Sequence, residues 1–467
     1  MPSLNPIPKN LFSFQSPWNR LLKGLGANVL GQVVTVFIQI VSVPLLIRSW
    51  GIEIYGEWLI LVSIPMYFAL SDLGFGSAAA NEMTLRVVQG DRSAAATLFQ
   101  SAWLLISTIA AGCLLILAAI VWWLPIAEWL NFTHIAAAPA AGIILVMSLQ
   151  VFIFQQVVLT ISGYQCEGNY PAGILNLHCI RLLEFAAIAI AVWFGASPLG
   201  AALAHTCATS CGAIWMSRDL HRRSPWLTYG YRHASLKALK KLSLPAIAFM
   251  GFPLASALSV QGMTLILGIL LGPVAVVVFS TQRTLSRLAW QILNLINNSV
   301  KPELSIAFGR GDLEFARQLH HKACKTAFWL ALLAVLGLAL GGRWIIALWT
   351  NQKVIFDPQL FYIMLAIVVV NSLWNTSQAV PIALNQHQQL SLRYVLSAGI
   401  ALLVAIGIAP LWGLSGAAAS LLIIDLAMSV YVVKASLKIL QESSVQFFRY
   451  LLTPPNPVKS ARQILHR

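Results

Sequence analysis

Apolar runs of about 20 residues recur along the whole chain, and each is long enough to cross a hydrocarbon layer of roughly 30 Å as a helix. Barrel strands would instead alternate apolar and polar residues. Twelve such runs are expected, at 24–47, 56–78, 97–124, 137–162, 173–194, 198–217, 242–268, 274–299, 326–349, 359–384, 394–412 and 414–433. Since 58% of the residues are hydrophobic and only 10% charged, no soluble core could absorb the apolar surface. The fold class read from this is an all-α integral membrane protein.

A net charge of +15 invites a nucleic-acid partner, but its distribution follows topology. With residue 1 in the cytoplasm, most Lys and Arg fall on that side, among them Arg218, Arg222, Arg223, Arg232, Lys237, Lys240 and Lys241 in one connector, 218–241. Only Arg48, Arg343 and Lys353 fall near outer ends. This is the positive-inside pattern, so both termini are expected in the cytoplasm and no nucleic acid is expected as a partner. The N-terminal segment 1–23, with Lys9, Arg20 and Lys23, has no small-residue cleavage site after a short apolar core, so the first span should be retained. It and the tail 434–467 mix aromatic with basic residues and should lie along the inner interface. Cys207 and Cys211, near His205, read as buried small residues rather than metal ligands, and no cofactor is expected.

The longest connector, 218–241, leaves no room for a soluble catalytic domain, so the chain does not read as an enzyme. It divides the spans into an N-lobe, 24–217, and a C-lobe, 242–433, of six spans each. A shift of 221 residues brings Gly51 onto Gly272, Glu82 onto Glu303, Gly90 onto Gly311, Asp91 onto Asp312, Ala95 onto Ala316 and Leu98 onto Leu319. The lobes therefore read as duplicated bundles, the parallel-repeat arrangement of transporters that carry a substrate between their halves.

Polar stripes mark the spans that would line a passage. On the eighth, Arg283, Arg287, Gln291, Asn294 and Asn298 fall on one helical face, opposite Leu, Ile, Val and Trp. A charge within a span costs at least about 2.5 kcal/mol, so these guanidinium groups should face water, a counter-charge or an anionic ligand. Arg suits phosphate, because its planar fork donates paired hydrogen bonds and keeps its charge. The first span repeats the stripe without charge in Asn28, Gln32, Thr35, Gln39 and Ser42. The fifth carries His178, Arg181 and Glu184, read either as an internally neutralised pair or as substrate contacts. The tenth carries Asn371, Asn375 and Gln378 beside Trp374, which serve either as interhelical glue or as lumen. Asp72, Glu184 and Asp425 are the candidates for coupling to H+ or Na+.

The stretches "VPLLIRSWGIEIYGEWLI" and "LSDLGFGSAAANEMT" then resemble the opening of polysaccharide-transporter flippases of the Wzx type. These are O-antigen and exopolysaccharide translocases of the multidrug/oligosaccharidyl-lipid/polysaccharide (MOP) superfamily. The matching positions are Pro44, Arg48, Gly51, Tyr55, Gly56, Asp72, Leu73 and Gly74, and "LGPVAVVVFSTQRTLSRLA" with Pro302 and Glu303 extends the likeness to the second half. The resemblance implies two six-helix lobes around a cationic central cavity that opens alternately to either side of a bacterial inner membrane. The implied cargo is an undecaprenyl-pyrophosphate-linked oligosaccharide moved to the periplasmic leaflet for O-antigen, lipopolysaccharide or exopolysaccharide synthesis. A polysaccharide polymerase and a chain-length regulator are the implied partners. Arg283, Arg287 and Arg181 would then hold phosphate, while Asn28, Gln32, Gln291 and Asn294 would bind sugar hydroxyls.

Two alternatives differ in class. An ion-coupled exporter of small molecules, MATE-like and from the same superfamily, predicts a carboxylate-lined lumen, and the first span has no carboxylate. A membrane-embedded polymerase needs catalytic residues in an outer loop, where "LPIAEWLNFTHIA" offers only Glu128 and His134.

Overall fold

The computed structural model describes residues 17–72, 74–123, 129–130, 132–384 and 388–454. The interfacial reading of the first 16 residues, Leu73, Glu128 and the tail beyond 454 lie outside the described residues, as do the side chains of Lys23, Lys241, Asn298 and Pro302. All regular elements among the described residues are helical, and the chain divides into two compact units, Met1–Ala257 and Leu258–Arg467.

In the first unit, α1 (Pro17–Ser63) covers the first span and enters the second across a break at Gly51. The expected span 56–78 is not one helix. Pro65 cannot donate to the helical ladder, and the chain continues as a 3-10 turn, Pro65–Asp72, before α2 (Phe75–Val88) restarts. At the restart Gly74 takes a left-handed φ of 76° and its N–H donates to Asp72 Oδ1 at 3.0 Å. Asp72 of the "DLG" motif thus holds Gly74 where the helix restarts.

Four further helices follow: α3 (Arg92–Trp123), α4 (Ala137–Cys166), α5 (Tyr170–Trp193) and α6 (Pro198–Arg223). Ser197 caps α6, its Oγ accepting the Gly200 N–H at 3.3 Å, with Pro198 opening the helix. α7 (Leu236–Ala257) packs on α2 and α3. The basic connector is therefore shorter than expected, 224–235, and Arg218, Arg222, Arg223, Lys237 and Lys240 stand on helix ends. It is also tied down. Gln100 on α3 donates to the Thr228 carbonyl at 3.1 Å and accepts the His233 N–H at 2.8 Å.

The expected span 242–268 is interrupted as well, by a π-turn at Leu258–Gly262, after which α8 (Met263–Leu271) completes it. The second unit continues with α9 (Pro273–Gly309), α10 (Leu313–Trp349), α11 (Pro358–Ser377) and the short α12 (Ala379–Ala383). α13 (Gln388–Ile439) holds the last two spans across a break at Gly413, and α14 (Ser444–Leu452) closes the described chain. α14 buries Phe447 and Leu451 against α10 and leaves Val445, Phe448 and Leu452 exposed, the disposition of a helix lying in a membrane interface.

Among the described residues, eight helical stretches are long and apolar enough to cross a membrane. Gly26–Val88 and Gln388–Ile439 each hold two of the expected spans, and α6 and α9, more polar, supply the remaining two. Small residues bring the helices close, as expected where no hydrophobic drive separates helix from lipid. A Cβ on Gly31 of α1 would fall 1.8 Å from His178 Nε2 of α5, and one on Gly342 of α10 would fall 2.3 Å from the Phe361 ring of α11.

The proposed repeat finds a local counterpart in backbone bonds. In the first unit Gln89, Gly90 and Asp91 donate to the carbonyls of Leu85, Val87 and Arg86. In the second, Arg310, Gly311 and Asp312 donate to Ile306, Phe308 and Ala307, each 221 positions on. Both turns carry a left-handed glycine, Gly90 (φ 82°) and Gly311 (φ 72°), and both aspartates cap the next helix, onto the N–H of Ala94 and of Phe315 at 2.9 Å.

Candidate functional site

Each unit brings together its own set of polar side chains. In the first, α1, the 3-10 turn, α4, α5 and α6 enclose a cavity of about 470 Å3, whose apolar wall is interrupted by Asp72, Gln150, Gln155, Arg181, Glu184 and His205. Burying a carboxylate here requires compensation. Glu184 receives it from α6 and α4: Thr209 Oγ1 donates to its Oε1 at 2.6 Å, Gln150 Nε2 approaches at 3.5 Å, and His205 Nε2 lies 3.7 Å from its Oε2.

Arg181 stands one turn from Glu184 on α5, yet the two make no ion pair within 4.0 Å. Its guanidinium lies 5.6 Å from the Phe154 ring centroid, and among the described residues its buried Nε has no hydrogen-bond partner. An internally neutralised pair is therefore not what forms. Arg181 is a cation on a cavity wall, over an aromatic face.

Asp72 reaches the same cavity while holding Gly74. Of the first-span stripe, Ser42 lines the cavity, Asn28 is exposed and Gln32 half-buried. Thr35 turns its hydroxyl back to the Gly31 carbonyl at 2.9 Å. Cys207 and Cys211 are exposed on α6 rather than buried.

In the second unit, Arg283 and Arg287 lie one turn apart on α9. Among the described residues neither has a carboxylate within 4.0 Å. Arg283 donates from Nη1 to the Val260 carbonyl at 3.3 Å and lies 5.4 Å from the Phe279 ring centroid. Val260 belongs to the π-turn, an element often found where a helix is reshaped for function. Arg287 lies 5.3 Å from the Trp290 ring centroid. Farther along α9, Gln291 is buried and Asn294 half-buried.

Asp425 on α13 interacts electrostatically with Arg287 but gives its hydrogen bonds elsewhere, accepting from Asn371 Nδ2 at 2.7 Å and Trp374 Nε1 at 2.8 Å. Of the tenth-span stripe, Asn371 thus acts as interhelical glue, as does the neighbouring Trp374. Gln378 donates to Asn375, and among the described residues the buried Asn375 Nδ2 has no partner.

Gln150, Gln155 and Asn297 are not singled out by the sequence reading. Asn297 is buried on α9 with neither amide atom partnered among the described residues. The two glutamines carry a visible signal, amides inside "SLQVFIFQQVVLT", an apolar run where each must find a partner.

No known family model matches the chain, and no curated protein matches it. Solved structures do. An inward-facing multidrug-resistance MATE family transporter of the MOP superfamily superimposes with a TM-score of 0.70 at 15% identity, over 88% of this chain and 99% of that one. The lipid II flippase MurJ in an inward closed conformation gives 0.67 at 13% identity, over 95% and 96%. An outward-facing MATE transporter of the MOP superfamily gives 0.66 at 14% identity, over 92% and 97%. The chain thus has the fold of MOP-superfamily transporters.

Proposed function

We propose that the protein is a flippase that moves an undecaprenyl-pyrophosphate-linked oligosaccharide from the cytoplasmic to the periplasmic leaflet of a bacterial inner membrane. The observation that carries this reading is the pair Arg283 and Arg287. Two guanidinium groups one turn apart, without a carboxylate within 4.0 Å among the described residues, call for an anion, and a pyrophosphate offers several oxygens to two planar forks. Arg181, with its unpartnered Nε, is a further phosphate contact. Asn28, Gln32, Gln291 and Asn294 suit sugar hydroxyls. Asp72, Glu184 and Asp425 are the groups through which H+ or Na+ would couple, and Glu184 beside His205 is the best formed of these.

The likeness to a flippase of lipid II supports a lipid-linked cargo at the level of fold. Depleting the protein in its host should leave lipid-linked oligosaccharide on the cytoplasmic leaflet and remove surface polysaccharide. Normal surface polysaccharide without accumulation would overturn the reading. One observation favours a MATE-like exporter instead: Asp72 and Glu184 line the first-unit cavity, whose wall is otherwise mainly apolar. That reading predicts altered drug susceptibility on depletion, with polysaccharide unchanged.

A further inference from the structure

The two halves of α13 run antiparallel about Gly413, and at the ends remote from that break they frame an open groove of about 1050 Å3. Three cations line it, Arg393 on one half and Lys434 and Lys438 on the other, and all are exposed. Among the described residues none has a carboxylate within 4.0 Å. The Arg393 guanidinium lies 3.8 Å from the Tyr431 ring centroid, and the Tyr431 hydroxyl donates to Gln389 Oε1 at 3.3 Å. Arg393 is therefore held over an aromatic floor without being neutralised.

Toward Gly413 the lining turns apolar. Leu426 and Val430 are 49% and 58% exposed, on a crossing helix whose outward residues face acyl chains. From Ala427 to Lys438 the groove follows one stripe, Ala427, Tyr431, Lys434 and Lys438, about 16 Å long at 1.5 Å per residue. A charged end and an apolar end at that separation match a phospholipid, with its phosphate near the interface and its chains below. They do not match a free anion, which would leave the apolar half unused.

We propose that this groove is a binding site for an anionic phospholipid of the surrounding bilayer, its phosphate held by Arg393, Lys434 and Lys438 and its acyl chains lying on Leu426 and Val430. The site belongs to the second unit alone and does not involve Arg283 or Arg287, so it stands apart from cargo capture. Basic pockets between helices at the cytoplasmic side are a recurrent way of holding anionic headgroups.

Native mass spectrometry of the full-length protein, titrated with phosphatidylglycerol or phosphatidylcholine, tests it. The unaltered protein should retain phosphatidylglycerol at least tenfold more tightly than phosphatidylcholine. The triple variant R393Q/K434Q/K438Q should lose that preference, while R218Q/R222Q/K237Q, with equal charge removed elsewhere, should keep it. Tyr431→Ala, which removes the floor and no charge, should weaken retention severalfold. Equal retention of both lipids, an unaffected triple variant, an equal loss in the control variant, or preferential retention of undecaprenyl phosphate would each overturn the proposal. Circular dichroism and melting of every variant separate lost binding from lost fold, and should the triple variant be misfolded, the Tyr431→Ala result decides.

Discussion

Gly51 and Gly272, 221 positions apart, hold one backbone conformation: φ 85° with ψ 171°, and φ 85° with ψ 174°. That region is open essentially to glycine alone, and a side chain forced into it costs of order 1–3 kcal/mol. The added Cβ would meet nothing closer than 3.5 Å at Gly51 and nothing within 4 Å at Gly272, so the strain would be purely torsional. Gly51→Ala and Gly272→Ala should each lower stability by about 1–3 kcal/mol, measured by thermal unfolding in detergent. Gly337→Ala, in open space inside α10, should be neutral or stabilise by up to about 1 kcal/mol.

Asp91 lies in the turn between α2 and α3, and its carboxyl is held below the usual carboxylate range by the Ala94 N–H, then by the Ser93 hydroxyl and the nearby Arg86. A folded-state pKa below the unfolded one means that the ionised form stabilises the fold above about pH 4 and that this contribution disappears as pH falls through the depressed value. The melting temperature of Asp91→Ala should therefore lie below that of the unaltered protein from neutral pH down to about 4, and the two should converge in stronger acid. A gap that is constant across the whole range would show that the carboxylate's charge contributes nothing.

Glu184 stands at the centre of a buried network whose donors come from two other helices. Replacing it with alanine leaves Thr209, Gln150 and His205 facing a void, and an unsatisfied buried polar group costs about 1–3 kcal/mol. Glu184→Ala should thus destabilise by about that much or more in chemical unfolding, while Glu184→Gln, which can still accept from Thr209, should lose less. If the carboxylate also couples transport to an ion, Glu184→Gln should flatten the pH dependence of transport while leaving the protein folded. Unchanged pH dependence would assign Glu184 to structure alone.

The crossings were legible because their length and apolarity are imposed by the bilayer, whatever the packing. The breaks were not. Periodicity across 56–78 does not mark the 3-10 turn Pro65–Asp72, where Pro65 alone signals a break, and it does not mark the π-turn at Leu258–Gly262, which packs against α13. The arginine stripe of α9 was legible because a charge in an apolar run is conspicuous. Partner choice was not, since spacing on one helix cannot reveal that Glu184 looks to Thr209 and His205 instead of Arg181, or that Asp425 bonds Asn371 and Trp374. Both depend on which helix lies alongside.

Arg283 and Arg287 carry the functional reading, and they can be tested without disturbing the fold. Among the described residues Arg283 gives one hydrogen bond, to a backbone carbonyl, and both guanidinium groups rest beside aromatic rings, so truncation removes few of the described contacts that hold α9 in place. A hydrogen bond to a charged group is worth about 1.5–3 kcal/mol, so losing one contact to phosphate should slow transport roughly 10- to 100-fold. Arg283→Ala and Arg287→Ala should do so at near-normal protein abundance, read as lipid-linked oligosaccharide reaching the periplasmic leaflet, which is the outer leaflet of the inner membrane in cells and the luminal leaflet in inverted vesicles. Lysine at either position restores the charge without the planar fork and should recover part of the rate. Full transport by both alanine variants would move phosphate capture elsewhere in the protein, and an equal loss in the lysine variants would mean that the fork, rather than the charge, makes the contact.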